Sequence, residues 1–249
     1  MKNRIIPTIL TDGNTVVKGE KFNNWRTVGS AEATARLYAA RDVDELIFLD
    51  VNASRYGRSI SSEMVSRFAD ILMVPFGVGG GINSLETATK LLRAGAEKVI
   101  LGEAAISNPS LITQIATKFG SQAVTVSIDL EGPENIFFRT SSSLELNSST
   151  GLDHAQRVLS MGAGEILLQS RRHDGLRLGM DMQNIELFSA NLTAPLIASS
   201  GAGNIEDFAG ALRVGASAVA AGAIFQFTEI TPGEVRESLR ELGFSVRNQ

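Results

Sequence analysis

The chain has 249 residues, 43% of them hydrophobic, and a formal net charge of −4 from 23 basic and 27 acidic side chains. It contains no cysteine, which excludes disulfide scaffolds, thiolate metal sites and cysteine nucleophiles and fits a reducing cytoplasm. Charges of both signs are mixed along the chain, and no apolar run approaches the roughly 20 residues needed to cross a bilayer. We therefore expect a cytoplasmic protein that binds neither nucleic acid nor membrane.

Eight short apolar segments recur along the chain and predict eight strands. They are residues 5–10, 46–50, 74–78, 98–101, 123–129, 165–170, 194–199 and 218–222. Most are separated by amphipathic segments with apolar residues at helical spacing, such as 84–96 and 206–216. Eight alternating units in about 250 residues match an α/β fold of the (β/α)₈ barrel type. We expect residues 1–249 to form one such domain.

An internal repeat supports this architecture. Residues 74–104 align without gaps on residues 194–224, so that Pro75 pairs with Pro195 and Gly81 with Gly201, each pair separated by 120 residues. The same offset places Glu45 on Glu165. The sequence therefore predicts two fused half-barrels of four units each.

Glycine-rich loops follow the third and seventh predicted strands, and each loop precedes a predicted helix. Glycine lets backbone N–H groups approach an anion without a Cβ in the way, and barrels of this type place phosphates on such loops. The alternative is that these glycines only make tight turns. The loops, with glycines after the fourth and eighth strands, predict two phosphate pockets facing each other, built from Gly80, Gly81, Gly102, Ser199, Gly201 and Gly222.

Eight segments of the sequence match those of a known family: RII at 4–6, VVKG at 16–19, VDELIFLD at 43–50, VGGGI at 78–82, the segment 108–124, SID at 127–129, GAGEILL at 162–168 and IASSGAG at 197–203. Through these segments the chain resembles the cyclase subunit of imidazole glycerol phosphate synthase, a lyase family of histidine biosynthesis. The resemblance implies a heterodimer with a glutaminase, a glutamine amidotransferase subunit. Ammonia from that partner would cross the barrel and react with a bis-phosphorylated ligand at the C-terminal face. It implies no cofactor. The isomerase of the same pathway is a more distant resemblance, through IIP at 5–7.

In the family, two aspartates at the ends of the first and fifth strands do the acid/base chemistry. Asp129 occupies the fifth-strand position, whereas the alignment puts Leu10 at the first-strand position, and a leucine cannot transfer a proton. Asp12 lies two residues after Leu10, so on a strand its side chain points to the same face, and a shifted loop could bring it near the position of the missing acid. The alternative is that residues 12–14 form a turn. Lys18, which the family places on a mobile loop after the first strand, is present.

Two further loops depart from the family. Gly102 and Glu103 stand where the family has an Asn-Thr pair at a phosphate, and a glutamate would repel that phosphate. After the sixth strand, Arg172 replaces an acidic residue, whereas Asp174 and Gly175, which the family places at a phosphate, are kept. The C-terminal face is therefore altered on a retained scaffold.

Four charged residues stand just before predicted strands: Arg4, Glu45, Lys98 and Glu165. Strand starts surround the N-terminal mouth of a barrel, so two cations and two anions can form a closed ring there. These positions match the ammonia gate of the family residue by residue. The alternative is a stabilising plug of ion pairs, since the N-terminal face of a barrel usually serves stability.

Three smaller expectations complete the interpretation. The polar, serine-rich segment 131–151 is expected to be a loop, or a hairpin, over the site. Trp25 is expected in a long loop after the first strand. His154 and His173 have no partner at ligand spacing, so no metal site is expected.

Two hypotheses of function follow. The first is a cyclase-like subunit that receives ammonia from its partner and acts as a specialised paralogue in sugar amidation for surface polysaccharides, with the barrel as a conduit. The second is an active imidazole glycerol phosphate synthase cyclase of histidine biosynthesis, working with Asp129 and a substitute acid such as Asp12. The missing carboxylate at Leu10 favours the first.

Overall fold

Eight parallel strands close into a barrel in this computed structural model, which describes residues 2–41, 43–132 and 150–247. The strands are β1 Arg4–Asp12, β2 Thr15–Glu20, β3 Asn23–Ser30, β4 Leu46–Asp50, β5 Phe76–Gly79, β6 Lys98–Leu101, β7 Val124–Leu130, β8 Glu165–Ser170, β9 Leu196–Ser199 and β10 Ala218–Ala221. The barrel consists of β1 and β4 to β10, and β1 pairs in parallel with β10 to close it. The predicted (β/α)₈ barrel is confirmed.

Helices cover the outside of the barrel. They are α1 Ala31–Ala39, α2 Ser62–Ile71, α3 Leu85–Arg93, α4 Glu103–Ser107, α5 Ser110–Phe119, α6 Gly151–Ser160, α7 Met182–Asn191, α8 Ile205–Arg213, α9 Ala223–Phe227 and α10 Pro232–Glu241. Seven of them begin after a residue whose side-chain oxygen accepts a backbone N–H of the first turn: Ser30, Ser61, Ser84, Thr150, Asp181, Asn204 and Thr231. Among the residues described, no helix is both long and apolar enough to cross a bilayer.

The predicted repeat is visible in the element boundaries. Helix α2 is offset from α7 by 120 residues, and the same offset relates α3 to α8, α4 to α9, β5 to β9 and β6 to β10. Strands β5 and β9 begin two residues later than expected. Pro75 and Pro195 precede them and have no N–H to give to a ladder.

The barrel and its helices bury two separate layers of apolar side chains. Between strands and helices lies a large apolar layer, in which Phe48 stacks on Phe68 at 4.1 Å between ring centroids. Inside the barrel lies a smaller apolar cluster from six different strands: Ile6, Ile47, Ile100, Leu167, Ile197, Ala218 and Ala220. The barrel is therefore filled, as expected of eight strands.

The long loop expected after the first strand is instead a hairpin. Strands β2 and β3 pair antiparallel, and β2 continues from β1 through a turn at Gly13 and Asn14. Lys18 lies on β2 and Trp25 on β3. The expected loop or hairpin over 131–151 falls mostly outside the described residues; Gly151 already begins α6.

Both ends of the described chain meet at the N-terminal side of the barrel. Asn3 forms a parallel bridge with Val246, and its N–H donates to the Ser245 carbonyl at 2.6 Å. The segment after α10 thereby joins the start of β1.

Candidate functional site

A cavity of about 740 Å³ opens where the barrel strands end. Loops from both half-barrels line it. All eight residues predicted at phosphates contribute: Gly80, Gly81, Gly102, Asp174, Gly175, Ser199, Gly201 and Gly222. The C-terminal ends of the strands are where barrels of this class place their sites.

Asp129 projects into this cavity from the end of β7. Its Oδ1 accepts hydrogen bonds from Ser127 Oγ at 2.9 Å and from Gln169 Nε2 at 3.0 Å. Burial raises the pKa of the Asp129 carboxyl, and these two hydrogen bonds oppose the rise. The arrangement suits a carboxyl group that holds a proton more readily than an exposed aspartate does.

The first strand brings Leu10, not an acid, to the cavity wall. Asp12 is held elsewhere: its carboxylate pairs with Arg58 at 2.7 Å and accepts from Asn52 Nδ2 at 2.8 Å. Arg58 also pairs with Asp50. The described residues that line the cavity do not include Asp12. Its predicted role as a substitute acid therefore has no geometric support here and stays a prediction.

Lys18 reaches the cavity from the hairpin. Its side chain is 4% exposed, and its Nζ donates to the Thr8 carbonyl at 3.4 Å. Burial lowers the pKa of Lys18 to about 8, opposed by the nearby Asp174 carboxylate. At neutral pH the ammonium is charged, and it lies on the rim of the barrel rather than on a free loop.

Asp174 holds the hairpin against the loop after β8. Its carboxylate accepts the Phe22 N–H at 3.3 Å, and its carbonyl accepts the Lys21 N–H at 3.0 Å. Burial raises the pKa of Asp174 to about 6, with Asp129 adding to the rise and Lys18 opposing it. Gly175 has a φ of 74°, and a Cβ there would collide with the Gly19 carbonyl. Asp174 and Gly175, which the sequence predicts at a phosphate, therefore hold the hairpin against the loop after β8.

The glycine turns are required by close backbone contacts. Gly81 has a φ of 64°, and a Cβ there would overlap the Arg58 carbonyl oxygen. Gly201, its counterpart in the second half, has a φ of 94° and approaches the Gly179 carbonyl in the same way. Ser200 holds a φ of 80° where the first half has Gly80, and its buried hydroxyl has no hydrogen-bond partner among the described residues. A side chain at such a φ stores strain.

A ring of four ion pairs closes the opposite mouth of the barrel. Arg4 pairs with Glu45 at 2.5 Å and with Glu165, and Lys98 Nζ lies 2.8 Å from Glu45 and 2.9 Å from Glu165. Both carboxylates are almost fully buried, at 4% and 8% exposure. The predicted quartet thus comes together as a closed ring with no net charge. The apolar interior cluster separates it from the cavity.

Sequence reasoning missed the residues that support Asp129. Gln169 pairs with Asp129 in the register of β7 and β8, so its amide faces the same cavity. Ser127 lies two residues before Asp129 and therefore on the same face of β7. The alternation of side chains along β7, together with the pairing of β7 with β8, could have identified both residues.

The fold and cavity define a (β/α)₈-barrel protein with its candidate site at the C-terminal ends of the strands and an ion-pair ring at the other mouth. The family model described as "Histidine biosynthesis protein" matches residues 4–231.

Three similar relatives carry one name, imidazole glycerol phosphate synthase subunit HisF. They come from Beutenbergia cavernae (42% identity over 253 residues), Thermobifida fusca (42% over 252) and Streptomyces avermitilis (41% over 247), each covering 98% of both chains. This chain therefore belongs to the HisF family of histidine biosynthesis proteins.

Proposed function

We propose that this chain is the ammonia-accepting subunit of a glutamine-dependent synthase and works in the cytoplasm as a heterodimer with a glutaminase. The observation that carries the proposal is the closed ring at the N-terminal mouth, which a layer of apolar side chains inside the barrel separates from the cavity. Neutral ammonia can cross an apolar passage at low cost, whereas ammonium must be desolvated. The ring would admit ammonia when one of its ion pairs opens.

The proposal is tested by measuring how efficiently glutamine hydrolysis is coupled to product formation. In a complex with the glutaminase, Lys98→Met removes two of the four ion pairs, and we expect the product formed per glutamine hydrolysed to change at least threefold. Lys90→Met is the matched control, because Lys90 pairs with Glu86 at 2.7 Å on an exposed helix surface. Equal coupling in the two variants would contradict the gate and leave the ring as a stabilising plug.

At the cavity, ammonia has two possible fates. The names of the relatives favour cyclisation of the bis-phosphorylated precursor of imidazole glycerol phosphate, the second hypothesis from the sequence. In that reaction Asp129 would transfer a proton, and Lys18 and Asp174 are two further titratable groups that line the same cavity.

Leu10 favours the other fate, in which the barrel passes ammonia to a separate acceptor, as a paralogue serving sugar amidation would. An aliphatic side chain stands on the wall where a second proton-transfer group would be needed. The purified barrel, given the bis-phosphorylated formimino substrate and an ammonium salt, distinguishes these fates. Turnover that disappears in Asp129→Asn supports a cyclase, and no turnover from folded protein supports the conduit.

A further inference from the structure

A second cavity, of about 220 Å³, lies beside β1 between α1 and α9, and is called the side cavity below. Ile9, which belongs to the apolar layer between strands and helices, forms its floor, and Phe225, Gln226 and Thr228 close it at the end of α9. Thr8 is the one lining residue that the side cavity shares with the C-terminal cavity, so the two are distinct spaces. The volume suits a small molecule, because drug-sized ligands occupy about 300–1,000 Å³.

One face of α1 supplies the rest of the wall. Four residues in and just after this helix line the side cavity at the spacing i, i+3, i+4 and i+7, which places side chains on one side of a helix. They are Thr34, Leu37, Tyr38 and Arg41. Tyr38 is only 6% exposed, yet its hydroxyl forms no hydrogen bond with the described part of the chain. Arg41 likewise forms no ion pair within the described ranges.

The Tyr38 hydroxyl and the Arg41 guanidinium lie close enough to interact. Burial raises the pKa of Tyr38 to about 12, and the charge of Arg41 opposes the rise. The phenol is therefore protonated at neutral pH and can donate a hydrogen bond, and the guanidinium offers a planar set of N–H donors. Buried phenols usually have a hydrogen-bond partner. A carboxylate between these two groups would satisfy both, since it accepts from several donors at once and carries the opposite charge to arginine.

The second half-barrel shows that this helix face can be packed without polar groups. At the offset of 120 residues, α6 has Val158 in place of Tyr38, and Met161 follows it in place of Arg41. Val158 is fully buried, and Met161 packs against the core. The same face thus carries a hydroxyl and a charge in one half and two apolar side chains in the other. Packing alone therefore does not account for the polar pair.

We propose that the side cavity binds a small organic monocarboxylate, with its carboxylate on Tyr38 and Arg41 and its apolar body against Ile9 and Phe225. Leu37 extends the apolar part of the wall. The cavity offers one cationic side chain, which matches a ligand with a single negative charge. The site lies outside the cavity that the proposed function uses, so the inference stands independently of that function.

Calorimetry of the full chain with benzoate tests the inference, and benzamide serves as a probe of the same shape without the charge. We expect benzoate to bind with a Kd of about 1 mM or below, and benzamide to bind about tenfold more weakly. Arg41→Met introduces the residue that the second half carries and should weaken benzoate binding about tenfold. Tyr38→Phe removes only the hydroxyl and should weaken it about fivefold. Arg36→Gln is the matched control, because Arg36 pairs with Glu32 at 2.9 Å on the exposed side of α1, and it should leave the affinity unchanged.

Three results would overturn the inference. They are no binding of benzoate by folded wild-type protein at about 10 mM, equal affinities for benzoate and benzamide, and equal affinities of Arg41→Met and Arg36→Gln for benzoate. Lys18→Met distinguishes the two cavities: it should bind benzoate as the wild type does, and a loss of binding there would place benzoate in the C-terminal cavity and contradict the site. Unfolding curves of each variant establish that the fold is retained.

Discussion

The first and second half-barrels share a backbone plan but not a surface chemistry. Elements recur at a constant offset of 120 residues, and the turns at Gly81 and Gly201 solve the same packing problem against a neighbouring carbonyl. Around the cavity the halves differ: Gly80 corresponds to Ser200, and Glu103 corresponds to Ala223. The two turns that pack closely on a carbonyl are therefore repeated, whereas other residues that line the cavity differ between the halves.

The largest expected effect is at the ion-pair ring, where equivalent substitutions in the two halves should lower the free energy of unfolding by the same amount. Glu45 comes from the first half and Glu165 from the second, and each bridges the same two cations. Replacing either with alanine leaves Arg4 and Lys98 sharing one carboxylate, which should lower the free energy of unfolding by about 3 kcal/mol. Denaturant unfolding measures the loss. Glu86→Ala, in an exposed pair, should leave the free energy of unfolding almost unchanged. A large difference between the two ring variants would break the equivalence of the halves.

The glycine turns should give the next largest effect. Gly81→Ala and Gly201→Ala combine a left-handed φ with a backbone collision, so each should lose about 2 kcal/mol of stability. Gly29→Ala is the control, because a Cβ at Gly29 would meet open space. Thermal unfolding of the three variants compares them. A tolerated alanine in only one half would mean that the two turns are not built alike.

The pH dependence of anion binding sharpens the contrast between the pockets. Lys18 is charged below its pKa of about 8 and loses its charge above it. Sulfate does not titrate in this range, so its affinity should be highest below pH 8 and fall about tenfold by pH 9.5. The Lys18→Met variant should bind sulfate weakly and show no such fall. An affinity that does not change with pH in the wild type would exclude Lys18 as the anion-binding group.

The smallest expected effect is at Ser200. Replacing it with glycine relieves the strain of its φ of 80° and removes a buried hydroxyl without a partner among the described residues, so stability should rise by about 1 kcal/mol. The reciprocal change, Gly80→Ser, should destabilise, because a Cβ there would lie 2.6 Å from the Asp50 carbonyl oxygen. Opposite signs in the two melting temperatures are the expected result. A loss of stability in Ser200→Gly would mean that its hydroxyl has a role in the fold.

The sequence predicted the barrel because its strands are short apolar runs and its repeat has a constant offset. It also predicted the quartet at the N-terminal mouth, since strand starts surround that mouth in any such barrel. The β2–β3 hairpin was missed because β3 is mostly exposed and polar, so it carries no clear period of two. Without the hairpin, the burial of Lys18 could not be predicted.

Contacts between distant loops could not be predicted from the sequence, for a different reason. Arg58 and Asp12 lie 46 residues apart, and nothing local indicates that they pair. The same holds for Asp174 and the Phe22 N–H, which join the loop after β8 to the hairpin. Such contacts depend on the exact conformation of two loops, which neither composition nor periodicity specifies.

The bridge between Asn3 and Val246 places the two ends of the described chain side by side, which is the geometry that circular permutation requires. A short linker joining these neighbouring segments would close the polypeptide into a circle, and the circle could be reopened at Gly120, the residue between α5 and the second half. The permuted chain would run from the second half to the first with every strand pair intact. Contacts now formed across the closing seam of β10 and β1 would then become contacts between consecutive segments of one continuous chain.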